Sequence, residues 1–514
     1  MMKTRPITIM LMCVSTSSLL AQEAYRHTPA QAPTEIQDDN VWAQFAGNAK
    51  HNSVPSVEGL PSLSTPAWEN TQHVLVAQTG VVVDQSRVYA MTQENGNAYF
   101  AVALDRETGA EVWKTPIAPV IFESWSSPVI DIEHGTLIVA TGSTIAAIDT
   151  QTGDEAWVHT LSSTIVNASP VVTTDLGDRD RVLITNYSFG GLGSAQLICI
   201  NTDAFNAETN PYQPGELVWS RSLSADTSGN TPAYQNGRVY FATASNGSGS
   251  RGTIRSYDVT GDAAPSSPAW IFTNTINAGF FGGVSIAKGH IYASSYSFSG
   301  LQTSANTVKL NKRTGDLVWS VPTNRTDATP IILPVGDVIV SAGVAQGETS
   351  NLPFFGSIPS VAYISDEGAN ASLEWDSFLE THSDTNSNGV WDFGEPYLSI
   401  GGWTHQPIAL TTNGQSYLLV GTLPRNSPVS YIGNNTDLRL IDLRKAPSEP
   451  GFVVEHAIGT GNTPALASGW IFSGSDTGIR AYAPPSPMQI VRALLDRYTR
   501  GEITLDQLLE QLPR

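Results

Sequence analysis

Cysteine is almost absent from this chain of 514 residues: there are two, Cys13 and Cys199. Cys13 falls in an N-terminal segment that reads as removable. The mature chain then keeps one thiol, which excludes an intramolecular disulfide and a thiolate metal cluster. Charge is scarce as well, at 14% of residues, and leans one way: 27 Lys and Arg against 47 Asp and Glu, a formal net charge of −20. Such a surface repels phosphate backbones and excludes nucleic acid as a partner, while favouring solubility, cations and basic partners. Long apolar runs are missing too. The stretch from Ile7 to Val14 is too short to span a bilayer, so no transmembrane segment is expected.

Lys3 and Arg5 precede that stretch and Ser15 to Ala21 follow it, the pattern of a secretory signal peptide over 1–21 with cleavage after Ala21. Leu11-Met12-Cys13 lacks the small residue expected before a lipoprotein cysteine. Export without disulfides points to a bacterial route, periplasmic or extracellular, and to a core large enough to need no covalent staple. Residues 22–40 are polar, contain proline and show no hydrophobic period, and read as a flexible linker.

From about residue 41 the sequence repeats. A short alternating strand, an acidic or amide residue, a Thr-Gly turn and a tryptophan run from Leu104-Asp105 through Thr108-Gly109 to Trp113. The unit returns from Ile148-Asp149 to Trp157 and from Leu310-Asn311 to Trp319. Degenerate copies end at Trp219, Trp270 and Trp375, and another has Phe452-Val453-Val454 in place of tryptophan. A second marker is a small or polar residue and then Pro128, Pro170, Pro232, Pro330, Pro407 or Pro464, with Gly80 and Gly283 in the matching places. Both markers count eight units, at intervals typical of propellers or solenoids. Proline suits the first residue of a strand, where no ladder donor is lost. Tryptophan offers a flat face for packing one unit on the next. Trp68 has no strands of its own before it, and the last unit, Thr463 to Ala483, has no outer strand. The expected fold is therefore all-β: an eight-bladed β-propeller over 41–485, closed by pairing of N- and C-terminal strands.

These residues resemble the repeat of quinoprotein-type (PQQ-like) propellers, and Trp42-Ala43-Gln44-Phe45-Ala46-Gly47-Asn48 with His51 resembles the opening segment of such proteins. The resemblance implies either a quinone-dependent alcohol dehydrogenase or a non-enzymatic outer-membrane assembly factor, because one scaffold hosts both. In the dehydrogenases, adjacent cysteines cover the quinone. Cys199 has no neighbouring partner, and no position matches the catalytic aspartate with its calcium, so PQQ is not expected and no catalytic residue is assigned.

The sharpest chemical signal is Asp384-Thr385-Asn386-Ser387-Asn388-Gly389-Val390-Trp391-Asp392-Phe393-Gly394-Glu395. Oxygen side chains stand at loop positions 1, 3, 5, 9 and 12 with glycine at 6, the pattern of an EF-hand calcium loop. The expected ligands are Asp384, Asn386, Asn388, the Val390 carbonyl, Asp392 and Glu395. Pro396 and the Gly401-Gly402 pair argue against a second helix, so structural calcium in an insertion over 376–402 is expected, without an opening switch. The alternative is a polar turn that binds nothing.

Gly247 to Gly252 matches a dinucleotide fingerprint in form, but lies between strand-like segments and reads as a hairpin loop. Trp403-Thr404-His405 and Phe280-Phe281-Gly282-Gly283 precede expected inner strands, where aromatics would either bind a peptide or sugar or pack the blades. In the tail, Ser486-Pro487 and Thr504 with Gln507 read as starts of two amphipathic helices, a hairpin over 486–514. The expectation is an exported, monomeric, calcium-binding scaffold for a protein or polymer ligand. The alternatives are a PQQ-dependent dehydrogenase and an envelope assembly factor.

Overall fold

A computed structural model describes residues 39–514 apart from 123, 189–194, 224–225, 228, 246–250, 298–301, 345–357, 389–391, 393–394, 423–435, 502 and 513–514. The signal peptide and the linker up to residue 38 lie outside the described residues.

Short β-branched runs separated by Gly-containing turns fold as antiparallel meanders, and these form eight sheets of four or five strands. Blade two shows the plan. Val129–Asp131, Thr136–Thr141, Thr144–Asp149 and Glu155–Thr160 pair in that order from the axis outward. Leu137 to Ala140 are buried without a break, because a middle strand has a neighbouring blade against each face. The outermost strand instead alternates exposed with half-buried residues. In blades one and four the innermost strand is split in two pieces that pair with the same neighbour. The eight innermost strands begin at Val82, Val129, Val171, Ala233, Ser285, Ile331, Ile408 and Ala465, one or two residues after the proline and glycine markers.

Closure occurs as the repeat count requires. Trp68–Asn70 pairs antiparallel with Gly478–Tyr482, Trp68 opposite Ala481 and Asn70 opposite Ile479, and becomes the outer strand of blade eight. An ion pair between Glu69 and Arg480 lies across the seam.

The apolar core lies between blades. Buried clusters fill the blade one–two, two–three, three–four, four–five, five–six and six–seven contacts, and another spans blades seven, eight and one. Several contacts share one device. At Trp68, Trp113 and Trp270 the tryptophan of an outer strand lies on the turn glycine of the next blade and donates its indole N–H there. Trp157 lies on Gly215 in the same way, whereas Trp319 donates to the Asp366 carboxylate and Trp375 meets Phe452 edge-on. Trp68 donates to the Arg106 carbonyl at 2.9 Å, Trp113 to Thr150 at 3.0 Å and Trp270 to Lys312 at 3.0 Å. A Cβ on Gly153 would lie 2.8 Å from the Trp113 ring, and one on Gly109 2.4 Å from the Trp68 ring.

The opening segment, residues 42–57, runs across the innermost strands as a strap. Trp42 bridges Val83, the Ile130 amide donates to Ala43, and the Gln44 side chain bonds Val172. The amides of Tyr234 and Ile286 donate to the carbonyls of Ala49 and Lys50, and Val57 donates to Thr411. Six blades are thus tied by one stretch of chain. The His51 Nδ1–H donates to the Val284 carbonyl at 2.8 Å, and burial holds that imidazole neutral, its pKa lowered to about 4. The strap begins before 41: the Ser468 amide donates to Asp39 and Arg106 to the Asn40 carbonyl, so the last two residues read as linker belong to the wheel.

Helices Pro487–Thr499 and Leu505–Gln511 each start with a full capping box, on Ser486 with Gln489 and on Thr504 with Gln507. Ile490, Leu494, Ile503 and Leu508 form their own small core, and a Cβ on Gly59 would meet Ile490 at 3.3 Å, so the hairpin rests on the propeller. Leu495 and Tyr498, which share the helical period, are exposed instead. Among the described residues no helix is long and apolar enough to cross a membrane.

The Trp–Gly contact makes a comparison possible. Gly153 and Gly96 both have positive φ, +79° and +76°, but a Cβ on Gly96 meets nothing within 4 Å. Gly96→Ala is expected to cost about 1 kcal/mol from backbone strain alone, and Gly153→Ala about 2–4 kcal/mol because the Trp113 ring must also shift. Denaturant midpoints of the two variants measure this; equal losses would show that the ring contact is slack.

Candidate functional site

The segments just before the innermost strands converge on the axis. Trp125 comes from blade two, Asn167 from blade three, Phe281 from blade five, Asp327 from blade six and Trp403 from blade seven, and all line one cavity of about 310 Å³. Tyr187 and Tyr296, each just beyond the second strand of its blade, complete the wall, with Phe122 at the rim and 72% exposed. Side chains from blades this far apart can share a space only at the centre of the wheel.

The aromatic rings touch in sequence around the wall. Trp125 meets Trp403 edge-on with centroids 5.5 Å apart, Trp403 meets Tyr296 at 5.4 Å, and Tyr296 meets Phe281 at 5.8 Å. These are favourable edge and tilted arrangements, and they leave the ring faces differently oriented around one space. The Arg325 guanidinium is over Tyr296, 5.6 Å from its centroid.

Asp327 supplies the charge. Its amide donates to the Trp403 carbonyl at 2.8 Å, and the neighbouring Thr326 hydroxyl donates to the same oxygen at 3.2 Å, which ties the blade-six loop to the blade-seven loop. Gly282 makes the crowding possible from the other side, since a Cβ there would lie 2.4 Å from the Asp327 carbonyl. The Asp327 side chain is buried, and its Oδ1 accepts no hydrogen bond among the described residues. Burial pushes its carboxyl well above the usual carboxylate range.

The two aromatic clusters noted in the sequence divide by alternation. Trp403 and Phe281 face the cavity, while Phe280, Thr404 and His405 are buried. The His405 Nε2 accepts from the Gly421 amide at 2.7 Å, and burial pulls its pKa down to about 3. Trp125, Asn167, Gly229 and Asp327 were not singled out from sequence, yet one signal could have found them. Each stands three residues before a marker proline, at Pro128, Pro170, Pro232 and Pro330.

The structure places the proposed calcium loop in the connection between blades six and seven, after the short helix Ser377–Thr381, and not within a blade. No helix follows it. The Glu395 carboxylate accepts from the Thr385 hydroxyl at 2.8 Å and from the Asp392 amide at 2.8 Å, and the Asp392 amide is the main cause holding it ionised below its usual range. The Asn388 amide N–H bonds Asp384 and Asn386, while the side-chain NH₂ groups of Asn386 and Asn388 donate to Asp392 Oδ2. Five of the six expected ligand residues are therefore drawn into one turn; Val390 lies outside the described residues. Among those residues no three His, Cys, Asp or Glu side chains gather to hold a metal. A cation here would use the mixed set of carboxylates and amides, with the two asparagine side chains turned to present oxygen.

His134 is held between Asp131 at 2.9 Å and Asp203 at 3.0 Å, and the hydrogen bond to Asp131 leads in raising its pKa to about 9. An imidazolium occupies the space between the carboxylates, which leaves no seat for a metal ion. A cleft of about 1160 Å³ lies between helix Pro487–Thr499 and blades seven and eight. Its cations are engaged: Arg444 with Asp442, Lys445 with the Pro450 carbonyl and Arg497 with Gln511. The Gly247–Gly252 fingerprint joins antiparallel strands Arg238–Ser245 and Thr253–Asp258 and opens no helix; residues 246–250 lie outside the described residues.

A family model described as outer membrane protein assembly factor BamB matches residues 100–186, from blade one into blade three. Comparison with curated proteins gives no match. Among solved structures, a europium-containing methanol dehydrogenase superposes with a TM-score of 0.58 at 12% identity, covering 86% of this chain and 91% of its own. BamB from Moraxella catarrhalis gives 0.50 at 13% identity, covering 80% and 96%. Quinohemoprotein alcohol dehydrogenase from Comamonas testosteroni gives 0.54 at 12% identity, covering 87% and 82%. The fold is that of the PQQ-like β-propellers.

This PQQ-like propeller differs from the quinone pattern at its thiol. Cys199 is buried in a middle strand of blade three, opposite Leu183 and Trp219, and burial pushes the thiol up. It therefore has no place at the axis, and the residues present do not reproduce the paired-cysteine cover of the quinone.

Asp327 has a pH signature. A carboxyl held protonated by burial binds more protons in the native than in the unfolded state above about pH 4, so it lowers stability as pH rises from there. Asp327→Asn removes that penalty. The variant is expected to melt higher than the parent at pH 7, with the gain shrinking toward pH 4; a gain independent of pH would mean that this carboxyl does not titrate with folding.

Proposed function

We propose that the protein is an exported calcium-binding propeller that holds a protein or polymer segment in the mouth of its axial funnel. One observation supports the reading: aromatic side chains from separate blades line one cavity at the axis, with the exposed Phe122 among them. Pockets of this size and lining are where ligands bind. A rigid wheel presenting pre-set aromatics also loses little conformational entropy on binding.

Calcium has a structural part in this reading. Asp384, Asn386, Asn388, Asp392 and Glu395 would hold it, with the Val390 carbonyl, and its charge would bind the acidic turn together. Trp403 follows Glu395 by eight residues along an extended chain anchored by the Gly401 amide on Gly421 and the Trp403 amide on Gly343. Ordering the turn therefore steadies one wall of the cavity. The export route rests on the signal-like N-terminus.

Calcium is expected to raise the melting temperature, by an amount equivalent to about 2.7 kcal/mol at a hundredfold excess over Kd. Asp384→Ala with Glu395→Ala should abolish the rise, and a parent protein indifferent to calcium would remove the metal from the reading. For the ligand, the parent chain and Phe122→Ala serve as baits against envelope and medium fractions; a captured species lost with Phe122→Ala supports the funnel, and equal capture by both refutes it.

Two alternatives have their own outcomes. A gain of quinone absorbance and dye-linked alcohol oxidation after adding PQQ and calcium would make it a dehydrogenase. The BamB match over blades one to three favours an envelope assembly role. Co-purification with outer-membrane assembly components would establish that role, and a protein found only in the medium would exclude it.

A further inference from the structure

The same cavity carries a more specific assignment, which rests on the funnel being a binding site. Its acidic lining side chain is Asp327, and its described walls are otherwise aromatic, apolar or neutral. A carboxyl oxygen left without a hydrogen bond in a buried position is costly unless something else meets it. Four rings in mutual contact, Trp125, Trp403, Tyr296 and Phe281, stand around the same space. We propose that the funnel binds a small alkylated ammonium cation, the aromatic faces meeting its methyl groups and the Asp327 carboxylate meeting its charge.

The chemistry favours this ligand over others that fit by size. A ring face carries negative potential, and an alkylammonium ion is weakly hydrated, so it loses little on leaving water and gains from each face it touches. A sugar would need several side-chain donors and acceptors, and beyond the tyrosine hydroxyls the described wall offers Asn167 and Asp327. An anion would meet the carboxyl and the negative ring faces. Arg325 already covers one face of Tyr296, and Trp125 and Trp403 line the same cavity. The net charge of −20 draws cations toward the protein from all sides. The cavity volume of about 310 Å³ suits a choline-sized group and excludes a folded partner.

An arriving cation also resolves the state of Asp327. Burial raises the pKa of the Asp327 carboxyl in the empty funnel, and a positive charge beside it favours the ionised form, so binding is accompanied by proton release. The other titratable side chains lining the described cavity are Tyr187 and Tyr296, and Arg325 lies over the Tyr296 ring.

The test is calorimetric titration of the full chain with choline chloride and with 3,3-dimethylbutan-1-ol, its uncharged isostere, with tryptophan fluorescence as a second readout. Choline should bind saturably and the isostere at least about tenfold more weakly. Asp327→Asn should weaken choline about tenfold and narrow the gap between the two compounds, and Trp125→Leu should weaken choline while leaving the melting temperature near that of the parent. Equal binding of the isostere, or no binding of choline, overturns the assignment. Phosphatidylcholine vesicles separate the sources: co-sedimentation competed by free choline marks a lipid headgroup, and choline binding without co-sedimentation marks a free solute. A funnel-dependent captured species without choline binding sinks the cation alone. Choline binding without any captured species sinks the scaffold reading alone.

Discussion

The docking of a tryptophan on the turn glycine of the next blade is the contact from which the rest of this structure follows. A single four-stranded blade has two apolar faces and cannot bury either by itself. The indole covers one, and its N–H satisfies a carbonyl that the turn would otherwise leave to solvent, as Trp113 does for Thr150. The glycine is required twice over, for its positive φ and for the absence of a Cβ where the ring lies. Truncation of such a buried ring costs about 3–5 kcal/mol. The ring-on-glycine contact recurs between blades eight and one, one and two, two and three, and four and five.

A ring built this way needs closing, and both closures use the N-terminal region. Trp68–Asn70 supplies the missing outer strand of blade eight and carries its own tryptophan onto Gly109 of blade one. The strap over 42–57 then ties the innermost strands of blades one to five and seven with one stretch of chain. At the funnel end the segments before the innermost strands gather, and the chemistry of the molecule concentrates there.

That end is polar matter placed in an apolar setting. Asp327 and Arg325 are both buried at the axis, and the loops that carry them approach so closely that Gly282 has no room for a side chain. A carboxyl in such a place lowers stability at neutral pH, and the inter-blade contacts tolerate it because they are many and independent. The segment after the 384–395 turn reaches the same region by running from Glu395 to Trp403, so a surface turn and an axial wall are joined by a short stretch of chain.

The repeat was legible because its markers are local and periodic. Tryptophan after a Thr-Gly turn, and proline before an apolar run, each report one strand of one blade, and eight of each close a circle with the ends zipped together. The capping residues Ser486 and Thr504 are equally local, and so the tail helices were legible as well. The spacing of polar side chains in the 384–395 turn could be read from the sequence, but the position of that turn between blades depends on where the outer strand of blade six ends. What the sequence by itself determined is thus the blade, its number and its closure, since hydrophobic period and turn chemistry act over a few residues. Only the tertiary structure decided which side chains share the axis: Trp125, Tyr296, Asp327 and Trp403 are far apart along the chain, and the rotation from blade to blade brings them to one point. The same holds for Trp403 and His405, which stand two residues apart, because packing against Gly421 draws the histidine into the core and leaves the indole at the funnel.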